Sequence, residues 1–293
     1  MPLCFFVLLS PFCEASNSTK EFFEAVEKGN LSSIKKLLHS GISIDVRDNE
    51  GSTPLIRATE HGQLELVKFF LASGAAVNGK DEINGANALM WAMRKAENEE
   101  GKRTAPMEAK YVIAQALMQA GADVNAKNKW GGTALQWAAD SGNVKMVHAV
   151  IAKGADVQLD DSTGLTPLMV AANYEGEAYL QIVRALLDAK ANVNASDQSG
   201  TTALMKASAN HFKTDTIRLL IESGANVNAR TKDGYSGLMM ACQRARTELI
   251  KYLIEHGADA HAKTNDGRSV LEVAKQAGYK EAIDALAEKG VKE

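Results

Sequence analysis

Residues 128–158, NKWGGTALQWAADSGNVKMVHAVIAKGADVQ, contain one small structural unit. Polar residues and glycines at its start predict a turn, and two apolar runs at helical spacing predict two short helices. Ser141-Gly142-Asn143 separates the helices, and Gly154 ends the second one. A unit of about thirty-three residues cannot bury an apolar face alone, so we expect it to stack on copies of itself.

The copies are located by the Gly that ends the second helix. It recurs at Gly41, Gly74, Gly121, Gly154, Gly224, Gly257 and Gly290, and Lys190 takes the equivalent place in one repeat. A Gly just past a helix can adopt the left-handed conformation that satisfies the last carbonyls. We therefore expect Lys190 either to carry strain there or to end its helix differently.

The first helix of the unit recurs in register with that Gly. Its opening reads TPLIRA at 53–58, TALQWA at 133–138, TPLMVA at 166–171 and TALMKA at 202–207. Thr can cap such a helix, and Pro at its first position loses no hydrogen bond. With the closing phrase GADVNA at 121–126 and GANVNA at 224–229, the chain resembles the ankyrin repeat family over residues 18–290. The resemblance implies an all-α solenoid of about eight stacked helix-turn-helix units joined by β-hairpin-like loops.

One departure from the family pattern is systematic. The family usually places a His two residues after the Pro position, where it ties adjacent loops by hydrogen bonds. Here the position holds Ile56, Met90, Gln136, Met169, Met205, Met239 and Glu272. We therefore expect that link to be absent and apolar packing to replace it. The Met row, with Met240 beside it, is expected in the core, or as an adaptable apolar surface if it reaches the concave face.

The two ends of the chain differ from the repeats. Residues 1–15, MPLCFFVLLSPFCEA, predict a secretory signal peptide, although no basic residue precedes the apolar run. A disordered apolar tail on a cytoplasmic protein is the alternative, and the segment is too short to span a membrane. We predict an N-terminal capping repeat at 16–47, repeats at 48–263 and a C-terminal capping repeat at 264–293, since the caps have polar outer faces.

The repeat between Gly74 and Gly121 is longer than the others. Its extra residues fall near 95–110, KAENEEGKRTAPMEAK, and we place them in the loop between its helices. Insertions in such arrays gather on one face and are often the binding side. A lengthened helix pair with a solvated loop is the alternative.

Composition and motifs argue against several functions. The 293 residues carry a net charge of −3 with both signs mixed, which leaves no nucleic-acid footprint. The six His residues lack metal-ligand spacing, and Gly101-Lys102-Arg103-Thr104 lacks the first Gly of a phosphate loop. Cys242 is expected to be a buried, inert thiol, and Asn194 a structural residue rather than a glycosylation site. We predict no catalytic residues, metal, cofactor or small-molecule substrate.

What remains is a surface for another protein. The resemblance implies docking on the concave face, which turn tips and first helices form, and aromatic and Arg residues dominate interface energies. The candidates are Trp130, Lys129, Arg94, Trp91, Trp137, Tyr174, Tyr235 and Arg244. Trp130, at a hairpin tip, either contacts the partner or packs on its neighbour. Trp91 and Trp137 occupy equivalent positions and could stack on each other, with packing between repeats as their alternative role.

The sequence thus predicts a non-catalytic protein-binding scaffold. The signal-like start and the single remaining cysteine favour the bacterial periplasm or secretion. The alternatives are a secreted effector that binds a host protein and an enzyme that uses the 95–110 insertion.

Overall fold

The computed structural model describes residues 11–95, 106–210 and 214–291, with side chains from Asn17 onward. The chain divides into two compact units, Met1–Trp130 and Gly131–Glu293. Within the described ranges all regular structure is helical, apart from isolated bridges in the hairpins. This confirms the predicted fold class.

Unit 1 consists of three helix pairs. Its helices are α1 (Pro11–Glu27), α2 (Leu31–His39), α3 (Pro54–Glu60), α4 (Leu64–Ala72), α5 (Ala88–Met93) and α6 (Met107–Gln119). Each odd-numbered helix packs on the even-numbered helix that follows it. The first helices α1, α3 and α5 also pack in sequence, and α4 packs on α6.

Unit 2 repeats this arrangement over five pairs. Its helices are α7 (Ala134–Ser141), α8 (Val144–Ala152), α9 (Pro167–Ala172), α10 (Glu177–Asp188), α11 (Ala203–Asn210), α12 (Asp215–Glu222), α13 (Gly237–Cys242), α14 (Thr247–Glu255), α15 (Val270–Ala277) and α16 (Lys280–Glu288). The first helices α7, α9, α11, α13 and α15 pack in sequence along one side.

The first helices begin where the sequence motif predicts. The Thr133 Oγ1 accepts the Gln136 N–H at 3.3 Å, and Thr166 caps α9 in the same way through the Met169 N–H. Leu55, Leu135, Leu168 and Leu204 are each at most 2% exposed, so they occupy matching buried places in their repeats. The predicted register is confirmed.

The second helices also end as predicted. The recurring glycines have φ between 81° and 100°, in the left-handed region. Lys190 has φ 68°, so it takes the same conformation despite its side chain, which is the strained alternative. Ala245, with φ 53°, is the other non-Gly residue with positive φ in the described ranges.

An amide ladder joins consecutive repeats four residues after the recurring Gly. In unit 2 the Asn194 Nδ2 donates to the Gly224 carbonyl at 3.0 Å, and its Oδ1 accepts the Asn226 N–H at 2.7 Å. Asn228 makes the same pair of bonds to Gly257 and Asp259. The structural interpretation of Asn194 is thereby confirmed.

The expected loss of the loop-tying hydrogen bond is wrong at one repeat. Gln136 stands at the His position, its Nε2 donates to the Leu165 carbonyl of the next hairpin, and its Oε1 accepts the Thr133 N–H at 2.9 Å. A Gln amide has the donor and acceptor needed for both bonds. At the apolar positions the expectation holds, since Met169 and Met205 are 1% exposed.

The predicted insertion boundary also needs correction. Residues 96–105 lie outside the described ranges, but Met107 already belongs to α6 and Lys110 is 1% exposed. The Lys110 Nζ donates to the carbonyls of Arg94 and Lys95 at 3.1 and 3.3 Å. The last residues assigned to a solvated loop are therefore the first turn of a buried helix. Residues 1–10 are likewise outside the described ranges, so the signal peptide stays a prediction.

Candidate functional site

The first helices and hairpin tips carry most of the predicted site residues, and each unit presents its own set. In unit 1, α3 carries Arg57 at the centre of three carboxylates. Its guanidinium lies 2.6 Å from Asp48, 2.5 Å from Glu50 and 2.9 Å from Glu60. Burial alone would lower the pKa of Arg57, but the hydrogen bonds that its guanidinium donates to the three carboxylates outweigh burial and raise the pKa. The cluster holds more negative than positive charge.

Trp91 is a packing residue in this structure. Its side chain is 9% exposed, and the indole Nε1–H donates to the Asp81 Oδ2 at 2.9 Å. The Arg94 guanidinium lies 5.1 Å from the centre of the Trp91 ring, a cation–π distance. Arg94 remains half-buried, whereas Trp91 contributes little accessible surface. The suggested stacking of Trp91 on Trp137 stays a prediction, since the two residues belong to different units.

The hairpin tips of unit 1 are exposed, as predicted. Trp130 is 53% exposed and Lys129 is also exposed. The Lys129 N–H donates to the Asn84 carbonyl at 2.9 Å, which joins two successive tips. Ile83, at the preceding hairpin tip, is 55% exposed and is not among the site residues predicted from the sequence.

Unit 2 presents a row of half-buried side chains along its first helices. Trp137, Val170, Lys206 and Met240 each lie four residues after the capping Thr or Ser of their helix and are half-buried. Because this position recurs in these four consecutive repeats, the side chains share one face; in the last repeat it holds Val273, which is 2% exposed. The Lys206 Nζ lies 3.3 Å from the Asp197 Oδ2 in the hairpin before its helix. Burial would raise the pKa of Asp197, but hydrogen bonds from Ser199, Thr201 and Lys206 lower it overall.

Tyr174 belongs to an aromatic pair at the end of α9. Its ring stacks on Tyr179 with centres 4.8 Å apart, and its hydroxyl donates to the Asp140 Oδ1 at 2.6 Å. The Tyr179 hydroxyl donates to the Asp140 carbonyl at 3.1 Å. The hydrogen bond to Asp140 raises the pKa of Tyr174, so the phenol stays protonated. Sequence reasoning missed Tyr179. The signal that could have pointed to this residue is the set of extra residues around 174–180, which lengthens this repeat.

The last two predicted residues of unit 2 differ in their surroundings. Tyr235 is half-buried, and its hydroxyl accepts the Arg268 Nη2–H at 2.8 Å. The Arg268 guanidinium also lies 5.6 Å from the centre of the Tyr235 ring. Arg244 is exposed just after α13.

Cys242 is fully buried, and burial raises the pKa of its thiol to about 12, so it stays protonated and inert at neutral pH. Within residues 11–95, 106–210 and 214–291, no group of His, Cys, Asp or Glu is placed to hold a metal ion. No helix in the described part of the chain combines the length and apolar character needed to cross a bilayer.

Comparison with known proteins identifies the repeat. The family described as "Ankyrin repeats (3 copies)" matches residues 22–101, 105–197, 174–231 and 204–293. Proteins built from these repeats are protein–protein interaction scaffolds and are generally non-catalytic.

Similar proteins come from distant sources. The fowlpox virus ankyrin repeat protein FPV244 is 34% identical over 34% of this chain and 14% of its own length. Ankyrin repeat and SOCS box protein 3 of Bos taurus is 30% identical over 51% of this chain and 33% of its own length. Neurogenic locus notch homolog protein 1 of Xenopus tropicalis is 28% identical over 57% of this chain and 7% of its own length. The chain therefore spans a third or less of the length of each of these relatives. With the family matched over most of its length and the repeat geometry present in both units, this chain belongs to the ankyrin repeat family.

Proposed function

We propose that the chain is a non-catalytic scaffold that binds a partner protein through its concave face, the side of turn tips and first helices. The observation that carries the proposal is the row of Trp137, Val170, Lys206 and Met240 in unit 2. On the same helices Leu135, Leu168 and Leu204 are buried, so the row is the side that packing leaves accessible. Partly exposed Trp and Met side chains suit protein recognition.

The row can be tested with matched variants of the mature chain. Trp137→Ala combined with Met240→Ala should weaken capture of a partner from the native compartment, while Arg184→Ala, exposed on the second helix α10, should not. Mass spectrometry would identify the proteins that each variant and the unmodified chain recover. Melting curves would establish that each variant is folded. If both variants recover the same proteins in equal amounts, the row is not the binding surface.

We further propose a periplasmic or secreted location for this scaffold. The support is the signal-like run at residues 1–15, together with one cysteine, Cys242, after it. Fractionation of cells that express the complete chain tests this. Recovery of a shortened chain from the periplasm supports a role inside the envelope, and recovery from the medium or a host cell favours a secreted effector. An uncleaved chain in the cytoplasm would contradict export.

The enzyme alternative has weaker support. It was motivated by the charged insertion at 95–110, but one residue of that range and the residue just before it are used in packing. Lys110 is buried against backbone carbonyls, and Arg94 next to the insertion stacks on Trp91. These contacts explain the two cations as structural groups without assigning them to a reaction.

A further inference from the structure

Two exposed apolar side chains occupy neighbouring hairpin tips of unit 1. Ile83 is 55% exposed and Trp130 is 53% exposed. Ile83 lies two residues before Gly85 and Trp130 one residue before Gly131, so they take adjacent positions at the tips of consecutive hairpins. The Lys129 N–H bond to the Asn84 carbonyl holds these hairpins together. In the other repeats these two adjacent tip positions hold polar residues, which are Asn49 and Glu50, Ser162 and Thr163, Gln198 and Ser199, Lys232 and Asp233, and Asn265 and Asp266. An exposed apolar pair at tip positions that are polar in the other repeats is typical of an interaction surface.

A basic groove lies beside these tips. It is an open cavity of about 650 Å³ in unit 1. Its lining consists of Arg47, Lys80, Asp81, Glu82, Gly85, Lys127, Asn128 and Lys129. Four cationic side chains thus face two carboxylates, which leaves the groove positive although the whole chain is slightly negative.

The two carboxylates already have partners within the protein. Asp81 is 3% exposed and accepts the Trp91 Nε1–H as well as the Ala86 N–H. Glu82 lies 3.7 Å from the Arg47 guanidinium. Both carboxylates therefore already interact with groups of the protein itself.

Two of the lysines are held by neutral oxygens. The Lys80 Nζ donates to the Lys127 carbonyl at 2.7 Å, and the Lys129 Nζ donates to the Glu82 carbonyl. A carbonyl accepts a hydrogen bond without cancelling the charge of the ammonium group. The hydrogen bonds to these carbonyls therefore fix the position of the two ammonium groups in the groove. The ammonium groups keep their positive charge and still attract anions.

We propose that this fingertip surface, Ile83 and Trp130 with the basic groove, binds an acidic segment of a partner protein that carries bulky apolar side chains. This inference rests on the proposed binding function and adds the chemistry of the partner. An apolar side chain of the segment packs against Ile83 and Trp130, and its carboxylates lie along the groove. The apolar pair favours a protein segment over a nucleic acid, because it offers no charge to phosphates.

A synthetic peptide in which glutamate and leucine alternate tests the proposal on the full chain. Fluorescence anisotropy should show saturable binding of the labelled peptide that weakens as salt is added, because exposed charges are screened. Two comparison peptides, one with lysine in place of glutamate and one with serine in place of leucine, should bind at least about tenfold more weakly. A labelled oligothymidylate serves as the nucleic-acid probe.

Matched variants then locate the site. Ile83→Ser combined with Trp130→Ser should weaken binding of the glutamate–leucine peptide about tenfold. Ser162→Ala with Ser199→Ala, at the same two tip positions in consecutive hairpins of unit 2, should not weaken it. Lys129→Glu should also weaken it about tenfold, and its control is Lys232→Glu, at the same hairpin position in unit 2. Melting curves of all variants should match that of the unmodified chain, since the substituted side chains are exposed or at hairpin tips.

The proposal is overturned if the glutamate–leucine peptide does not bind, if the lysine peptide binds as tightly, or if oligothymidylate binds more tightly. Equal binding by the fingertip variants and their unit 2 controls would also overturn it. Any of these results leaves the proposed function standing if Trp137→Ala with Met240→Ala still reduces partner capture. Loss of that capture difference alone would count against the proposed function and not against the fingertip surface.

Discussion

At the scale of single residues, two side chains occupy places that their chemistry does not favour. Lys190 takes a left-handed backbone conformation where the other repeats have Gly, and Lys110 places an ammonium group in the interior of unit 1. The Lys190 backbone conformation lowers the stability of the folded state through strain, and the buried Lys110 ammonium lowers it through loss of hydration. Each can be measured by one substitution.

Lys190→Gly should stabilise the protein. Removing the side chain relieves the left-handed strain, while the unfolded chain gains some flexibility, so the net gain should be about 0.5–1 kcal/mol. Urea unfolding measures it. The control is Ala189→Gly, one residue earlier, where φ is −77° and no strain is relieved. If both substitutions destabilise the protein equally, Lys190 carries no strain.

Lys110 should make stability depend on pH in the alkaline range. Burial, aided by the nearby charge of Arg94 and opposed by Glu60, lowers the pKa of Lys110 from 10.5 to about 8. Between these values the unfolded chain binds more protons than the folded chain, so stability should rise as pH increases through this window. Urea midpoints of the unmodified chain and of Lys110→Met, compared from pH 8 to pH 10, should show a steeper rise for the unmodified chain. Parallel curves would mean that the pKa is not lowered.

At the scale of elements, adjacent repeats are joined by polar contacts as well as by apolar packing. Asn194 and Asn228 each bridge to the next repeat through two hydrogen bonds, one donated and one accepted. Asp45, at the equivalent place in unit 1, accepts the Ala76 N–H and has no amide donor. The ladder therefore depends on the amide for its full strength.

Substitution of Asn194 separates the two bonds. Asn194→Asp keeps the acceptor for the Asn226 N–H but loses the donor to Gly224, and Asn194→Ala loses both. Because the site is exposed, we expect a loss of about 1 kcal/mol for Ala and roughly half of that for Asp. Chemical denaturation measures both losses. A stability for Asn194→Ala that equals the unmodified chain would show that water replaces the amide at no cost.

At the scale of the whole molecule, each repeat depends on its neighbours for burial. Stability in such an array is approximately a sum of repeat and interface contributions, so damage to one interface affects the repeats on either side. Leu135 and Ala138 show this dependence in unit 2, because they are almost fully buried where α7 packs on its neighbours α8 and α9.

Leu135→Asp or Ala138→Glu should therefore disrupt the stack. Each substitution buries a carboxylate without a partner, which should cost several kcal/mol. Circular dichroism should show lost helicity and a broader, earlier thermal transition. Lys145→Glu, exposed on α8, is the matched control and should melt like the unmodified chain. A cooperative, unshifted transition for Leu135→Asp would contradict the assigned register.

The repeat itself could be predicted from the sequence because its signals are local. A Gly takes the left-handed turn, a Thr caps the following helix and the Leu two positions after that Thr packs inward, and each effect acts within one repeat. The site was only partly predictable. Exposure of Trp130 and Arg244 followed from their positions, but burial of Trp91 depended on its bond to Asp81 in the preceding hairpin.

The sequence by itself determined the family and the register of the repeats, and it left two options for Lys190, of which the structure selected the left-handed backbone shared with seven glycines. Only the tertiary structure decided that Gln136 ties two loops, that Lys110 is buried, and that Ile83 and Trp130 adjoin a basic groove. The physical reason is the separation along the chain of the groups that interact. Backbone preferences act between residues close in the chain, whereas these contacts join side chains and backbone groups that only the folding and stacking of repeats bring within reach.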